Sequence, residues 1–275
     1  MQEYIDRYEE FANYISGHGI LVIGHDHLGQ GRTVSSENDF GYFGKETSDF
    51  LAKDMHTLRQ QTQLEYPNLP YFMLGHSMGS HMLRKYLCLH GAGLSGAIIM
   101  GTGYMKNGTN RMGLLLDKMI TLFRGERYRS PLMAKLTTGS GPYAQFNLDG
   151  TQPENSWLTK DTEIVRKYYQ SKFCTYTYTL NGYKGLLESV LFDNTYRHIK
   201  KMDMTVLIYL VSGSDDPVGD LGKGVQTVCD LFRKAGVKDL EMRWLFEGDR
   251  HEILNEMDRH DTVYPAILTW LEKHV

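Results

Sequence analysis

Three residue types that together perform acyl transfer occur in this chain, each at a distinct place. Ser77 lies in Gly75-His76-Ser77-Met78-Gly79, between the apolar run Tyr71-Phe72-Met73-Leu74 and a helix-like run from Ser80 to Leu89. A serine hydroxyl is a weak nucleophile until a base takes its proton, and that base needs a carboxylate to orient it. Both partners follow, each just past an apolar run. Val206-Leu207-Ile208-Tyr209-Leu210-Val211 leads into Ser212-Gly213-Ser214-Asp215-Asp216-Pro217. Trp244-Leu245-Phe246 leads into Glu247-Gly248-Asp249-Arg250-His251. His251 is the histidine directly after the last strand-like run, whereas His260 and His274 fall within or beyond the helix that follows. Of the two aspartates, Asp216 is favoured because it stands three residues after Gly213 and directly before Pro217. Asp215 stays open as the alternative acid, since side chains of adjacent residues point apart.

These residues need a scaffold, and the surrounding pattern describes one. Strand, G-x-S-x-G, helix is a nucleophile elbow, and the order Ser, Asp, His is that of an α/β-hydrolase. The elbow strains the serine backbone, and glycines at 75 and 79 are expected to leave room for the turn. Before it, residues 3–16 read as an amphipathic helix with Tyr4, Tyr8, Phe11 and Ile15 along one stripe. Ile20 to Gly24 reads as a short apolar strand and residues 47–64 as a helix. Leu94 to Met100 is the next strand. The strand–helix rhythm stops between Gly103 and His198, where helical segments alternate with polar loops. It resumes as a strand at 204–211, a helix at 221–235, a strand at 240–246 and a helix at 252–273. An α/β pattern interrupted once implies a mainly parallel sheet flanked by helices, with an inserted, mostly helical cap. The expected divisions are 1–102 for the first part of the core, 103–198 for the cap and 199–275 for the second part of the core.

The chain has 275 residues, is 41% hydrophobic and carries a net charge of −3, enough for a large core and without the clustered basic residues of a nucleic-acid binder. Cys88, Cys174 and Cys229 form no C-x-x-C pair, which reads as reduced thiols in a cytoplasmic protein. No apolar run has the length of a membrane span, and Met1-Gln2-Glu3-Tyr4-Ile5-Asp6-Arg7 has no signal-peptide pattern.

The chain resembles the monoacylglycerol lipase and lysophospholipase branch of the α/β-hydrolases, which overlaps the family labelled serine aminopeptidase S33. Arg7-Tyr8 to Ile20 resembles that family's R-Y helix. Asp26-His27-Leu28-Gly29-Gln30-Gly31 resembles its D-H-R-G-H-G loop, with Leu28 and Gln30 where Arg and His are usual. Leu74 to Gly79 resembles L-G-H-S-M-G, and Gly213-Ser214-Asp215-Asp216 resembles G-S-x-D. Arg250-His251-Glu252-Ile253-Leu254-Asn255-Glu256 resembles R-H-E-x-L-N-E, and Ser156-Trp157-Leu158-Thr159-Lys160-Asp161 resembles a W-L-x-x-D segment. The resemblance implies hydrolysis of a single-chain lipid ester, such as a monoacylglycerol or lysophospholipid, with no metal or organic cofactor. It also implies an oxyanion hole formed by the Met78 N–H and a second donor that aligns with Met1. In the family a strand ending in His-Gly precedes that position and lies between the strands matching 20–24 and 71–74. Its absence here suggests an N-terminally shortened form, and a sheet lacking a central member is expected.

Other readings compete at several positions. His25-Asp26-His27 has the H-x-H spacing of some metal sites, but no further ligands are evident. His76 reads as a packed structural residue rather than a second base. Met112, Leu115, Leu116, Met119, Ile120 and Phe123 form a cap stripe expected to pack on the body. The sharper alternative is an acyl tunnel or transient contact with a lipid surface, where Arg124, Arg127 and Arg129 would favour anionic headgroups. A peptidase, an acyltransferase and a non-catalytic binding module remain rivals to the esterase.

Overall fold

The computed structural model describes residues 1–45, 47–139 and 141–275, with the backbone alone for residues 242–245. Four parallel strands form the sheet in the order β1-β2-β3-β4: β1 Phe72–His76, β2 Gly96–Met100, β3 Leu207–Gly213 and β4 Leu240–Phe246. Their register aligns the C-terminal ends, so that His76 pairs with Met100 and Met100 with Val211. Helices α1 (Glu9–Ser16), α2 (Ser48–Glu65) and α3 (Met78–His90) accompany the first half. Between β2 and β3 come α4 (Asn107–Arg124), α5 (Pro131–Thr138), α6 (Thr162–Gln170), α7 (Leu180–Asp193) and α8 (Tyr196–Ile199). Helices α9 (Lys223–Ala235) and α10 (Val263–Glu272) complete the chain.

The two faces of the sheet carry separate apolar clusters, as expected for a parallel sheet with helices on both sides. Ala97, Ile99, Ile208 and Leu210 pack with α3 and α9, while Ile98, Met100, Tyr209 and Val211 pack with α1 and α10. Alternation along each strand produces this division. All three cysteines are free and buried.

Three expectations about elements are corrected. Ile20–Gly24 is not a strand: it pairs with no strand among the described residues, and Leu21, Val22 and Ile23 are exposed. A short apolar run becomes a strand only beside a sheet edge, and β1 is bonded to β2 alone. The last helix begins at Val263 rather than at 252, after a short 3-10 turn at Ile253–Asn255. Pro265 accounts for the late start, because proline is tolerated in a helix's first turn but breaks a helix running through it. The apolar stripe on α4 does not pack on the body as a whole. Only Leu116 and Ile120 of it pack on the core, whereas Met112, Leu115, Met119 and Phe123 are exposed and Asn110 and Asp117 are buried. No helix among the described residues is long and apolar enough to cross a membrane.

Candidate active site

The turn from β1 into α3 holds Ser77 at φ 55° and ψ −120°, a strained conformation for a residue with a side chain. Its N–H donates to the Met100 carbonyl at the end of β2 (3.0 Å), which ties the turn to the sheet. Gly75 is required for space, since a Cβ there would lie 2.4 Å from the Gly79 carbonyl oxygen. Gly79 itself has nothing within 4 Å of a built Cβ, so the expectation that both glycines make room holds for Gly75 only. Met78 is the first residue of α3, where backbone N–H groups have no intrahelical acceptor.

Asp216 follows β3 and is fully buried, whereas Asp215 is exposed and accepts a hydrogen bond from Ser214. Both Asp216 carboxylate oxygens lie 3.0 Å from His251 Nδ1, and the Val218 N–H donates to Oδ1 (2.8 Å). His251 is buried, and its Nε2 has no hydrogen-bond partner. The imidazole lies against Gly101, the residue after the carbonyl that receives the Ser77 N–H; a Cβ at Gly101 would lie 3.1 Å from His251 Cε1. Ser77, Asp216 and His251 therefore all stand at the C-terminal ends of their strands β1, β3 and β4.

His76 touches His251. Its Nε2 donates to the His251 carbonyl (3.0 Å), and its Nδ1 accepts from the Tyr8 hydroxyl (2.9 Å). Burial, together with neighbouring His251, pushes its pKa down to about 3, so it stays neutral and structural. Trp157 stacks on the His251 ring, and Tyr143 meets Trp157 edge-on.

The charged residues around His251 act as clamps. Arg7 donates to both oxygens of Glu252 (2.9 and 2.5 Å), tying the N-terminal segment to the base loop. Burial alone would raise the Glu252 carboxyl, but the Arg7 guanidinium outweighs it and holds the pKa down to about 2. Arg250 donates to the carbonyls of Glu154 and Ser156, and Glu256 accepts from the N–H groups of Arg250 (2.8 Å) and Lys160 (3.0 Å). Glu252 N–H donates to the Leu158 carbonyl (2.7 Å). The segment 154–160 is thereby fastened to the His251 loop. The resemblance singled out Arg7-Tyr8, Ser156 to Asp161 and Arg250 to Glu256 as segments, but not these contacts between them.

Met1 packs against the core cluster that contains Met78. Next to it, the Gln2 N–H donates to the Tyr178 hydroxyl (3.3 Å), which in turn donates to Met78 Sδ (3.6 Å). The segment is therefore held near the elbow. Among the described residues no His, Cys, Asp and Glu group has metal-binding geometry, and the His25 and His27 rings contact each other edge-on.

A parallel sheet with a strained serine after one strand, and a paired carboxylate and imidazole after two others, defines an α/β-hydrolase. The chain belongs to the serine aminopeptidase S33 family, whose model matches residues 1–258. A monoglyceride lipase homolog of Monkeypox virus is 24% identical over 274 residues, covering 99% of this chain and 87% of that protein. The human monoglyceride lipase is 36% identical over 80 residues, covering 28% of this chain and 24% of the human protein. Among solved structures, a thermostable carboxyl esterase from Bacillus coagulans superposes with a TM-score of 0.88 at 28% identity, covering 100% of this chain and 87% of the esterase.

Proposed function

We propose that this protein is a serine hydrolase cleaving carboxylic esters of single-chain lipids. Ser77 attacks the acyl carbonyl while His251 Nε2 takes the hydroxyl proton. Asp216 fixes the imidazole tautomer and stabilises its cation. The Met78 N–H and a donor near Met1 receive the developing oxyanion. Collapse of the tetrahedral intermediate breaks the ester C–O bond, and His251 protonates the leaving alcohol. Water, deprotonated by the same imidazole, then releases the acid from the acyl-enzyme. The observation that carries this reading is the buried Asp216–His251 pair, with an unpartnered imidazole Nε2, at the same end of the sheet as the strained serine. The monoglyceride lipases and the esterase among its relatives support the ester and the single acyl chain.

A fluorophosphonate probe tests it, applied to the chain and to Ser77→Ala. Ser77-dependent labelling is expected, with p-nitrophenyl acyl esters turned over faster than aminoacyl anilides. Absence of labelling overturns the catalytic reading. Preference for anilides would make the protein a peptidase, and acyl glycerol formed on adding glycerol would make it an acyltransferase.

A further inference from the structure

The segment before α1 contains a strained residue. Gln2 has φ 56°, in the left-handed region that a residue with a side chain seldom occupies. Strain of this kind persists only where the surroundings hold it, and it gathers at functional sites. Two contacts hold Gln2, and both come from one stretch between α6 and α7. The Gln2 N–H donates to the Tyr178 hydroxyl (3.3 Å), and its side-chain amide donates to the Tyr176 carbonyl. Further along, the Glu3 N–H donates to Gln30 Oε1 (3.4 Å) and the Ile5 N–H to Asp26 Oδ1 (2.7 Å). Side chains of a different loop thus hold the rest of the segment.

Tyr178 is itself locked in place. It is fully buried, its ring stacks on Tyr176 with centroids 5.6 Å apart, and it meets Phe43 edge-on. A Cβ at Gly41 would lie 2.8 Å from Tyr178 Cδ1, so the backbone presses close on that ring. The next residue, Thr179, donates to the Gly41 carbonyl through both its N–H and its hydroxyl. The Tyr178 hydroxyl therefore stands at a fixed point between two partners: it accepts from Gln2 and donates to Met78 Sδ (3.6 Å). A thioether is a weak acceptor, so the consequence of the second contact is geometric more than energetic. One side chain touches both the residue after Ser77 and the residue after Met1. With the Gln2 N–H engaged, the second oxyanion donor of the proposed mechanism falls to Met1.

We propose that Tyr178 and Gln2 are positioning residues that set the spacing of the oxyanion hole. The inference rests on the serine-hydrolase reading above. The Tyr178 hydroxyl fixes the strained segment against Met78, so that the Met78 N–H and the donor at Met1 converge on the oxyanion without reorganising. Neither residue touches the reacting atoms; both act through the backbone that they hold.

Tyr178→Phe removes the hydroxyl and keeps the stacked ring. On a p-nitrophenyl ester it should lower kcat about tenfold and leave KM unchanged, a fraction of the 10²–10³ that losing a whole oxyanion donor costs. A trifluoromethyl ketone reads the oxyanion directly. Ser77 Oγ adds to its carbonyl carbon, the serine proton passes to His251, and the ketone oxygen becomes the oxyanion. Its inhibition constant should rise by the same factor as kcat falls. The pH dependence of kcat/KM should keep its apparent pKa, because the hydroxyl holds Gln2 and Met78 rather than His251. Gln2→Ala should act in the same direction and add little to Tyr178→Phe when the two are combined. Thermal melting checks that each variant folds, and Gln2→Ala decides by the same measurements if Tyr178→Phe does not. Equal kcat in variant and parent overturns the proposal alone when the parent is labelled at Ser77 by a fluorophosphonate. A fall in kcat with an unchanged inhibition constant overturns it as well, since the loss then lies outside the oxyanion hole. A parent that is not labelled overturns it together with the hydrolase reading.

Discussion

Trp157 of the cap stacks on the imidazole of His251, with ring centroids 5.1 Å apart and planes 25° from parallel. The same tryptophan's carbonyl accepts the His251 N–H (3.4 Å), so one cap residue holds both ring and backbone of His251. An aromatic face beside an imidazole favours its cation, the form that the proposed attack by Ser77 would produce. Trp157→Ala is expected to lower kcat on a soluble ester by about tenfold, with Trp157→Phe recovering most of it. Comparable losses in both variants would show that the ring contact contributes nothing.

The two adjacent aspartates separate cleanly in the folded protein, and their variants should too. Asp216→Asn leaves the imidazole in the wrong tautomer and should reduce kcat by about 10⁴-fold. Asp215→Asn alters an exposed side chain and should stay within a few fold of the parent. Steady-state kinetics on a p-nitrophenyl ester would decide, and a large loss at Asp215 would reassign the acid.

Gly75 and Gly79 look alike in sequence and differ in space. Gly75→Ala drives a methyl group to 2.4 Å from backbone oxygen, with no flexible neighbour to yield. It should cost about 3 kcal/mol or more, the range of overpacking with backbone displacement. Gly79→Ala meets nothing within 4 Å and lies inside α3, so it should be neutral or gain about 0.5–1 kcal/mol from helix propensity. Urea unfolding of both variants measures the contrast.

Acid stability should depend on His76. Its folded pKa lies near 3, below the ordinary histidine value of 6.5. Below pH 6.5 the unfolded chain binds a proton that the folded protein refuses. The contribution is therefore intact above that pH and is lost as pH falls toward about 3. The slope is at most about 1.4 kcal/mol per pH unit for one such proton. His27, also held down to about 3, adds a second contribution of the same sign. Melting temperature followed from pH 7 to 4 should fall less steeply for His76→Gln than for the parent. Parallel curves would remove His76 from the account.

The site was more legible in sequence than the surface that surrounds it. Ser77, Asp216 and His251 each stand at a junction between an apolar run and a turn, and such junctions are local patterns. The clamps are not local: Arg7 finds Glu252, and Arg84 on α3 reaches Asp193, the last residue of α7, and Asn194 just after it, across large separations in sequence. The segment Ile20–Gly24 has strand composition, but composition does not say whether a neighbouring edge exists. The stripe on α4 had the right period for a packed helix, and periodicity does not tell inside from outside. Burial of Asn110 and Asp117 reversed the orientation that apolar content suggested.

Ser77 hangs from the border of the sheet. Strand β1 is bonded to β2 and to no other strand among the described residues, so each second amide along Phe72–His76 lacks a ladder acceptor. Backbone protons on such a border are surrendered to deuterated solvent well before those of the interior strands β2 and β3. The strand that delivers Ser77 should thus be less protected than β2 and β3, as should β4 at the other edge. A ligand that quenches deuterium uptake there would report occupancy of the elbow through the backbone, without any chemistry at the serine.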